Sequence, residues 1–422
     1  MAKETEAAAD LSVASTSIPT SDAQGEVERL IKVDTSITQL VDYIIDHAYQ
    51  ARASDIHIDP QEKVVMVRLR IDGVMHHIFT LPKEILPQII TRIKVHCGLR
   101  TDEHQAAQDG RFRVGVDDHK IDLRVSIIPT YNGENAVLRL LVSEFRKLDL
   151  DQLGYSPEDL KVLRRYIKKS YGMILATGPT GSGKTTTLYS IIQELNTPEV
   201  TVTTIEDPIE YSMAGVSQIQ VNPQTNLTFA KGLRSIVRQD PNIIMVGEIR
   251  DNETAGIAVN AALTGHMVLT TLHTIDAATT LPRLLDMGME PFLVASTVNV
   301  AIGQRLVRKI CPDCKVEYKL TDAERDRLRA VVSEPIFKKY EVFYVGRGCP
   351  QCNDSGYKGR AGIYEVLEVR GEVRDLVLKK ASAEAVKQAA IKNGMTTMLE
   401  DGFRKAGMGI TSIAEVLRVV QD

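Results

Sequence analysis

The chain has 422 residues, 43% hydrophobic and 25% charged, with a formal net charge of −4 and a pI near 6.2. That length is too great for one ordinary core and implies two or three domains, and the acidic balance offers no global basic field for nucleic acid. No apolar run approaches the roughly 18 residues of a membrane span, and the opening MAKETEAAADLSVASTS is not a secretory signal, so the expected location is cytoplasmic, with any membrane role exercised through partners.

Residues 1–28 are rich in Ala, Ser, Thr and acid without apolar periodicity, which predicts a disordered tail. Over 38–52, Leu40, Val41, Ile44, Ile45 and Ala48 recur at helical spacing. The period then changes to two. In KVVMVRLRIDGVMHHIF, Val65, Val67, Leu69 and Ile71 alternate with Met66, Arg68 and Arg70, and Asp72-Gly73 marks a hairpin. A helix over 84–97 precedes a second hairpin, RFRVGVDDHKIDLRVSII. Its Phe112, Val114, Val116, Ile121, Leu123 and Val125 face one way, and Arg111, Arg113 and Arg124 face the other. These elements predict a small α+β domain over 29–143.

A linker at 144–156 leads to a helix over 157–169. Beyond it, GMILAT, VTVTTI, IIMV and HMVLTTL are short apolar strands separated by helical segments. That alternation predicts an α/β core over 157–310, with a parallel sheet covered on both faces. A cysteine-bearing segment at 311–356 and a mostly helical subdomain at 357–422 complete the chain.

GPTGSGKT, Gly178 to Thr185, fits the phosphate-loop pattern and sits between the strand GMILAT and the helix KTTTLYSIIQEL. The residues concerned are Gly178, Pro179, Thr180, Gly181, Ser182, Gly183, Lys184, Thr185 and Thr186. Glycines let backbone N–H groups turn toward phosphate oxygens, and the helix N-terminus adds its dipole. Lys184 is expected on the β- and γ-phosphates of ATP and the Thr185 hydroxyl on Mg²⁺.

Ligands of parallel α/β sheets gather at the carboxyl ends of strands. Glu206 follows VTVTTI, Glu248 follows IIMV after Gly247, and His273 follows HMVLTTL. Mg²⁺ takes hard oxygen ligands, and the attacking water needs an acceptor to orient it. Glu248 is assigned to the Mg²⁺ sphere and Glu206 to polarising water, although the two roles are exchangeable. His266 and His273 stand at the two ends of one strand, with His273 the better γ-phosphate sensor. The pairs CPDC and CPQC supply Cys311, Cys314, Cys349 and Cys352, enough for a closed tetrahedral Zn²⁺ site of structural role, with a helical insert near TDAERDRLRA between them. Cys97 lies in an apolar helical pattern and reads as core.

The blocks GPTGSGKTTTLY, TIEDPIE, IVRQDPNIIMVGEIRD and ALTGHMVLTTLHTIDA stand in one order. Together they resemble the phosphate loop, aspartate box, second Walker block and histidine box of the type II/type IV secretion ATPases. ASDIHIDP, RLRIDGVMHHI, QDGRFRV, IDLRVSIIP and GYKGRAGIYEVLEV extend the likeness from about residue 30 to the end. The resemblance implies a RecA-like P-loop ATPase domain, preceded by the smaller α+β domain and followed by the zinc-binding insert and helical tail. It implies a homo-hexamer with ATP at subunit interfaces and Arg111 and Arg124 directed at the γ-phosphate. It also implies an inner-membrane platform protein as partner, and therefore a place peripheral to that membrane.

Paired cysteines in this family go with assembly and secretion motors rather than pilus retraction. Many members carry a further N-terminal docking domain, whose place is taken here by about 30 low-complexity residues. The expected function is an ATPase motor for assembly of a type IV pilus or pseudopilus. Type II secretion is the alternative, and retraction and nucleic-acid translocation rank behind it. With only 5% aromatic residues, no nucleic-acid partner is expected.

Overall fold

The computed structural model describes residues 24–25, 37–116, 119–141, 149–329, 332, 337–340 and 342–421. Apart from Gln24 and Gly25, the tail expected over 1–28 lies outside the described residues, as does most of the start of the expected linker. The chain forms two compact units. One comprises Met1–Leu141, Cys311–Val316 and Gly346–Lys358; the other comprises Val142–Ile310, Glu317–Val345 and Gly359–Asp422.

The first unit opens with α1 (Ile37–Gln50), followed by β1 (Ala53–Pro60), β2 (Val64–Ile71), β3 (Val74–Pro82), α2 (Leu86–Cys97), β4 (Gln108–Val116), β5 (His119–Thr130) and β6 (Gly133–Leu141). The strands make one sheet in the order β3-β2-β1-β6-β5-β4, antiparallel throughout. Alternate residues Ile56, Ile58, Val65, Val67, Leu69, Leu123, Val125 and Leu138 are buried, as are Leu40, Ile44 and Ile45 of α1 and Ile89 and Ile93 of α2. Both helices pack on the sheet, so its other face is left to polar residues. Two strands, β1 and β6, have no counterpart in the sequence-based expectation. ASDIHIDP offers only two core isoleucines between acids, and its pairing with β6 depends on chain more than 70 residues away.

The second unit runs through α3 (Pro157–Ile167), β7 (Gly172–Thr177), α4 (Lys184–Leu195), β8 (Val202–Glu206), β9 (Val216–Gln220), α5 (Phe229–Ile236), β10 (Ile243–Val246), α6 (Asn252–Leu263), β11 (Met267–Leu272), α7 (Ala277–Asp286), α8 (Pro291–Thr297) and β12 (Val298–Ile310). Next come β13 (Lys315–Tyr318), α9 (Asp322–Arg329), β14 (Phe343–Gly346) and β15 (Tyr357–Glu368), with β13 and β14 paired as a separate ribbon. Four helices finish the chain: α10 (Glu372–Leu378), α11 (Ala383–Lys392), α12 (Met398–Gly407) and α13 (Ile413–Gln421).

The large sheet has the order β15-β12-β7-β11-β10-β8-β9, and its pairs from β12 to β9 are parallel. The fold class is therefore the α/β core expected from the sequence. Strand alternation sends Met173, Leu175, Ile205, Ile244, Val246 and Val268 into one core, and Ile174, Ala176, Val202, Ile243, Met245 and Met267 into another. Both faces are thus buried, and each enclosed Ile, Leu or Val contributes on the order of 2 kcal/mol. The four expected strands are present, with β9, β12 and β15 in addition. β12 runs on from α8 without a turn signal, β9 is a polar edge strand, and glycines and charges interrupt the apolar pattern of β15.

Candidate nucleotide and metal sites

The loop from Gly178 to Gly183 joins the buried strand β7 to α4. Its glycines have φ of +144° at Gly178, +80° at Gly181 and +92° at Gly183, a region that L side chains avoid. Gly178 also packs against its neighbour: a Cβ there would stand 2.5 Å from the carbonyl oxygen of Gln304. Lys184 bends back over the loop, donating from Nζ to Gly178 O at 2.8 Å and Pro179 O at 3.0 Å. Burial pushes its ammonium down to about 8, against the opposing pull of Glu248. The buried Ser182 hydroxyl has no hydrogen-bond partner. A turned-in cation, a buried hydroxyl without a partner and a positive-φ cradle are the donor set a polyphosphate requires.

Parallel register brings the other loops to the same edge, with Leu272 level with Thr177 and Val246 level with Ile205. The Thr177 hydroxyl meets Thr274, whose N–H donates to Thr177 Oγ1 at 3.1 Å. Thr271 Oγ1 donates to Gly247 O at 2.7 Å. A Cβ on Gly247 would lie 3.3 Å from Glu206 Cα, so glycine permits the close approach of β10 to β8.

Glu248, with 15% of its side chain exposed, is held by an ion pair to Arg250 and by His273 Nε2 at 2.9 Å. Burial raises its carboxyl, but hydrogen bonds from Arg250 and His273 outweigh this and hold it below the usual range. Arg250 also stands 3.7 Å from Asp207.

Glu206 is placed differently. It is 2% exposed, shares the face of Val202 and Thr204, and points into the side covered by α4. The Tyr189 hydroxyl, Thr204 Oγ1 at 2.6 Å and Gln218 Nε2 at 3.3 Å all donate to it. Burial raises its pKa despite those donors. His266 sits at the other end of β11, with Nδ1 2.9 Å from Ala261 O. Six strand residues, about 20 Å of extended chain, separate it from His273, so the structure does not bring His266 to the phosphate-loop edge.

Two residues of β12 have no counterpart in the sequence-based site. Gln304 links Ser182 O (2.8 Å) to Thr187 Oγ1 (2.9 Å). Arg305 donates from Nη2 to Ile275 O at 2.8 Å, beside the phosphate loop. A Gln-Arg pair inside the apolar stretch VAIGQRLV was the available signal.

In the first unit, Arg111 and Arg124 are cross-strand neighbours on the polar face. The register extends that line: Arg124 is opposite Arg139, Arg139 opposite Asp55, and Asp55 opposite Arg70. Four guanidinium groups and one carboxylate thus form a single stripe across five strands. Arg113, on the same face, is paired with Asp122 at 2.7 Å.

The four cysteines converge, all Sγ atoms lying within 4.8 Å of one another. Cys311–Cys349 and Cys314–Cys352 are 3.8 Å apart and Cys349–Cys352 is 3.7 Å apart. Zn–S bonds of about 2.3 Å give a tetrahedral edge of about 3.8 Å. Backbone N–H groups of Cys349 and Gly356 donate to Cys352 Sγ at 3.3 Å, the kind of supporting hydrogen bond that tunes a thiolate. The sulfur geometry fits Zn²⁺. Cys97 stands apart, its thiol raised to about 11 by burial.

A nucleotide cradle at the edge of a parallel α/β sheet, with an acid and a histidine on the adjoining strand ends, defines a phosphate-loop ATPase. The chain belongs to the Type II/IV secretion system protein family, whose profile matches residues 31–418. It is 43% identical over 389 residues to Type II secretion system ATPase E of Vibrio cholerae, covering 92% of this chain and 76% of that protein. It is 46% identical over 396 residues to Type IV pilus assembly ATPase PilB of Thermus thermophilus, covering 94% of this chain and 44% of that one. The solved structure of the pilus retraction motor PilT with bound ADP superposes with a TM-score of 0.61 at 26% identity, over 90% of this chain and 96% of that one.

Proposed function

We propose that this ATPase powers assembly of a type IV pilus or pseudopilus, working as a homo-hexamer against an inner-membrane platform protein. The observation that carries the reading is the meeting of the phosphate loop, Glu248 and His273 at one sheet edge, in a chain similar to both pilus-assembly and type II secretion ATPases. Among the described residues no helix is long and apolar enough to cross a membrane.

ATP and Mg²⁺ are held by Gly178 to Thr186, with Lys184 on the terminal phosphates and Thr185 and Glu248 toward the metal. His273 senses the γ-phosphate through its hydrogen bond to Glu248. Arg111 and Arg124, joined by Arg139 in the same stripe, supply positive charge to the transferring phosphoryl group. Three internal donors hold the Glu206 carboxyl, which is 2% exposed, so we assign it to anchoring the loop that carries Asp207 and Glu210 rather than to touching water. Zn²⁺ on the four cysteines staples the 311–356 segment.

The deciding experiment deletes the gene and restores it with the Lys184→Ala variant. Loss of surface pili with intact exoprotein secretion supports the pilus reading. Loss of secreted enzymes with pili intact transfers the motor to type II secretion, the reading favoured by the Vibrio cholerae relative.

A further inference from the structure

The stripe Arg70–Asp55–Arg139–Arg124–Arg111 contains one acid, and its surroundings are asymmetric. Asp55 Oδ2 is braced from its own side of the sheet, by Ser54 Oγ at 2.7 Å and Arg70 Nε at 3.7 Å. Arg70 is itself turned to the β2–β3 turn, donating to Gly73 O at 3.1 Å. The other oxygen, Oδ1, takes Nε of Arg139 at 2.8 Å. The carboxylate is almost enclosed, at 6% side-chain exposure, while the arginine it holds is 53% exposed. Burial would raise the Asp55 carboxyl, but the hydrogen bonds from Arg139 and Ser54 prevail and keep it below its usual range.

An arginine bound through Nε has its outer edge, Nη1 and Nη2, directed away from the partner, and that edge is the fork that takes two oxygens of a phosphate. The strand register places Arg124 and Arg111 one and two strands further on, at about 5 Å per step. A long side chain on an exposed strand otherwise samples many rotamers, and fixing it before the reaction removes that entropy from the barrier.

We propose that Asp55 is a positioning residue. It fixes Arg139 so that its fork joins Arg124 and Arg111 in receiving the transferring phosphoryl group of ATP. The inference rests on the arginine reading given under Proposed function and adds to it the group that aims one arm.

The test uses the full chain and compares Asp55→Ala, Asp55→Asn, Arg139→Ala and the Asp55→Ala/Arg139→Ala pair in steady-state ATP hydrolysis, with melting curves as the control for folding. Asp55→Ala is expected to lower kcat about 10- to 100-fold with KM for ATP little changed. Asp55→Asn, which keeps an acceptor oxygen and the shape, should recover part of the loss. The pair should be no slower than Arg139→Ala alone, because the carboxylate acts only through that arginine. Should Asp55→Ala fail to fold, Asp55→Asn against Arg139→Ala carries the same comparison. Normal kcat in a folded Asp55 variant beside an impaired Arg139→Ala overturns the inference and leaves the arginine reading standing, as does full additivity of the two losses. Normal kcat in Arg139→Ala, Arg124→Ala and Arg111→Ala alike overturns both.

Discussion

His273 closes on Glu248, its Nε2 standing 2.9 Å from Oε2, while Arg250 grips the other oxygen. The carboxylate is therefore oriented by the protein's own side chains. Glu248→Gln keeps the shape but removes the charge, so hydrolysis should fall about 100-fold or more while ATP binding persists. Phosphate release and fluorescent-nucleotide titration measure the two separately. Normal turnover in this variant would remove Glu248 from the Mg²⁺ and water site.

Glu206 and its partner Tyr189 should behave otherwise. With its oxygens held by three internal donors, Glu206→Gln strands at least one of them at a cost of about 1–3 kcal/mol. A lower melting temperature with a smaller loss of rate than Glu248→Gln is the expected pair of results. A rate loss equal to that of Glu248→Gln, with stability unchanged, would restore Glu206 as the acid that polarises water.

Arginines that meet the transferring phosphoryl group act mainly in the transition state. Arg111→Ala and Arg124→Ala should each reduce kcat, by up to the order of 10³-fold, and leave nucleotide affinity close to normal. Arg113→Ala, which removes an ion pair to Asp122 on the same face, is the contrasting variant and should hydrolyse ATP at nearly the normal rate. Equal losses in all three would point to general damage to the sheet.

Glu415 makes stability depend on acid. Burial pushes its carboxyl up, but Arg418 and Arg308 together deliver four hydrogen bonds from α13 and β12, and it falls to about 2 from an ordinary 4.5. That difference corresponds to about 3 kcal/mol of folding stability. The group is depressed in the folded chain, so its contribution is complete above pH 4.5 and is lost as pH falls toward 2. Denaturant melts across that window should show the decline, and Glu415→Gln should flatten it while lowering stability at pH 7.

Removing zinc tests the cysteine cluster. A chelator should release one Zn²⁺ per chain and unfold the 311–356 segment, since such sites can contribute on the order of 10 kcal/mol to local folding. Cys314→Ser should purify without stoichiometric metal, as elemental analysis would show.

The parts legible in the sequence were those fixed by neighbours along the chain. Gly178, Lys184 and the strand–helix switch around them lie within one short motif, and period-two alternation placed Arg111 and Arg124 on the polar face. Arg139 was hidden because its place in the stripe depends on pairing with Asp55, 84 residues earlier. The parity of Glu206 with Val202 and Thr204 was available in VTTIE and would have turned its side chain toward α4. His266 needed only the length of β11 to be set aside. Gln304 and Arg305 lay in β12, a strand that carries no turn signal at its start.

The stripe across the first sheet also determines where the chain tolerates changes of length. Between Arg124 and Arg139 its alignment is set by a two-residue connection, Tyr131-Asn132 between β5 and β6. One added residue that slipped the pairing would turn guanidinium groups into the core and leucines into water. Between Cys314 and Cys349 lie 34 residues, 315–348, whose ends meet at the thiolate cluster. That segment is not slack chain: it carries β13, α9 and β14, and its Leu320, Leu328 and Phe343 pack in one core with Val307 and Phe403. A single glycine added at the Tyr131-Asn132 turn should therefore stop the motor, and an insertion within 315–348 has to spare those packed side chains.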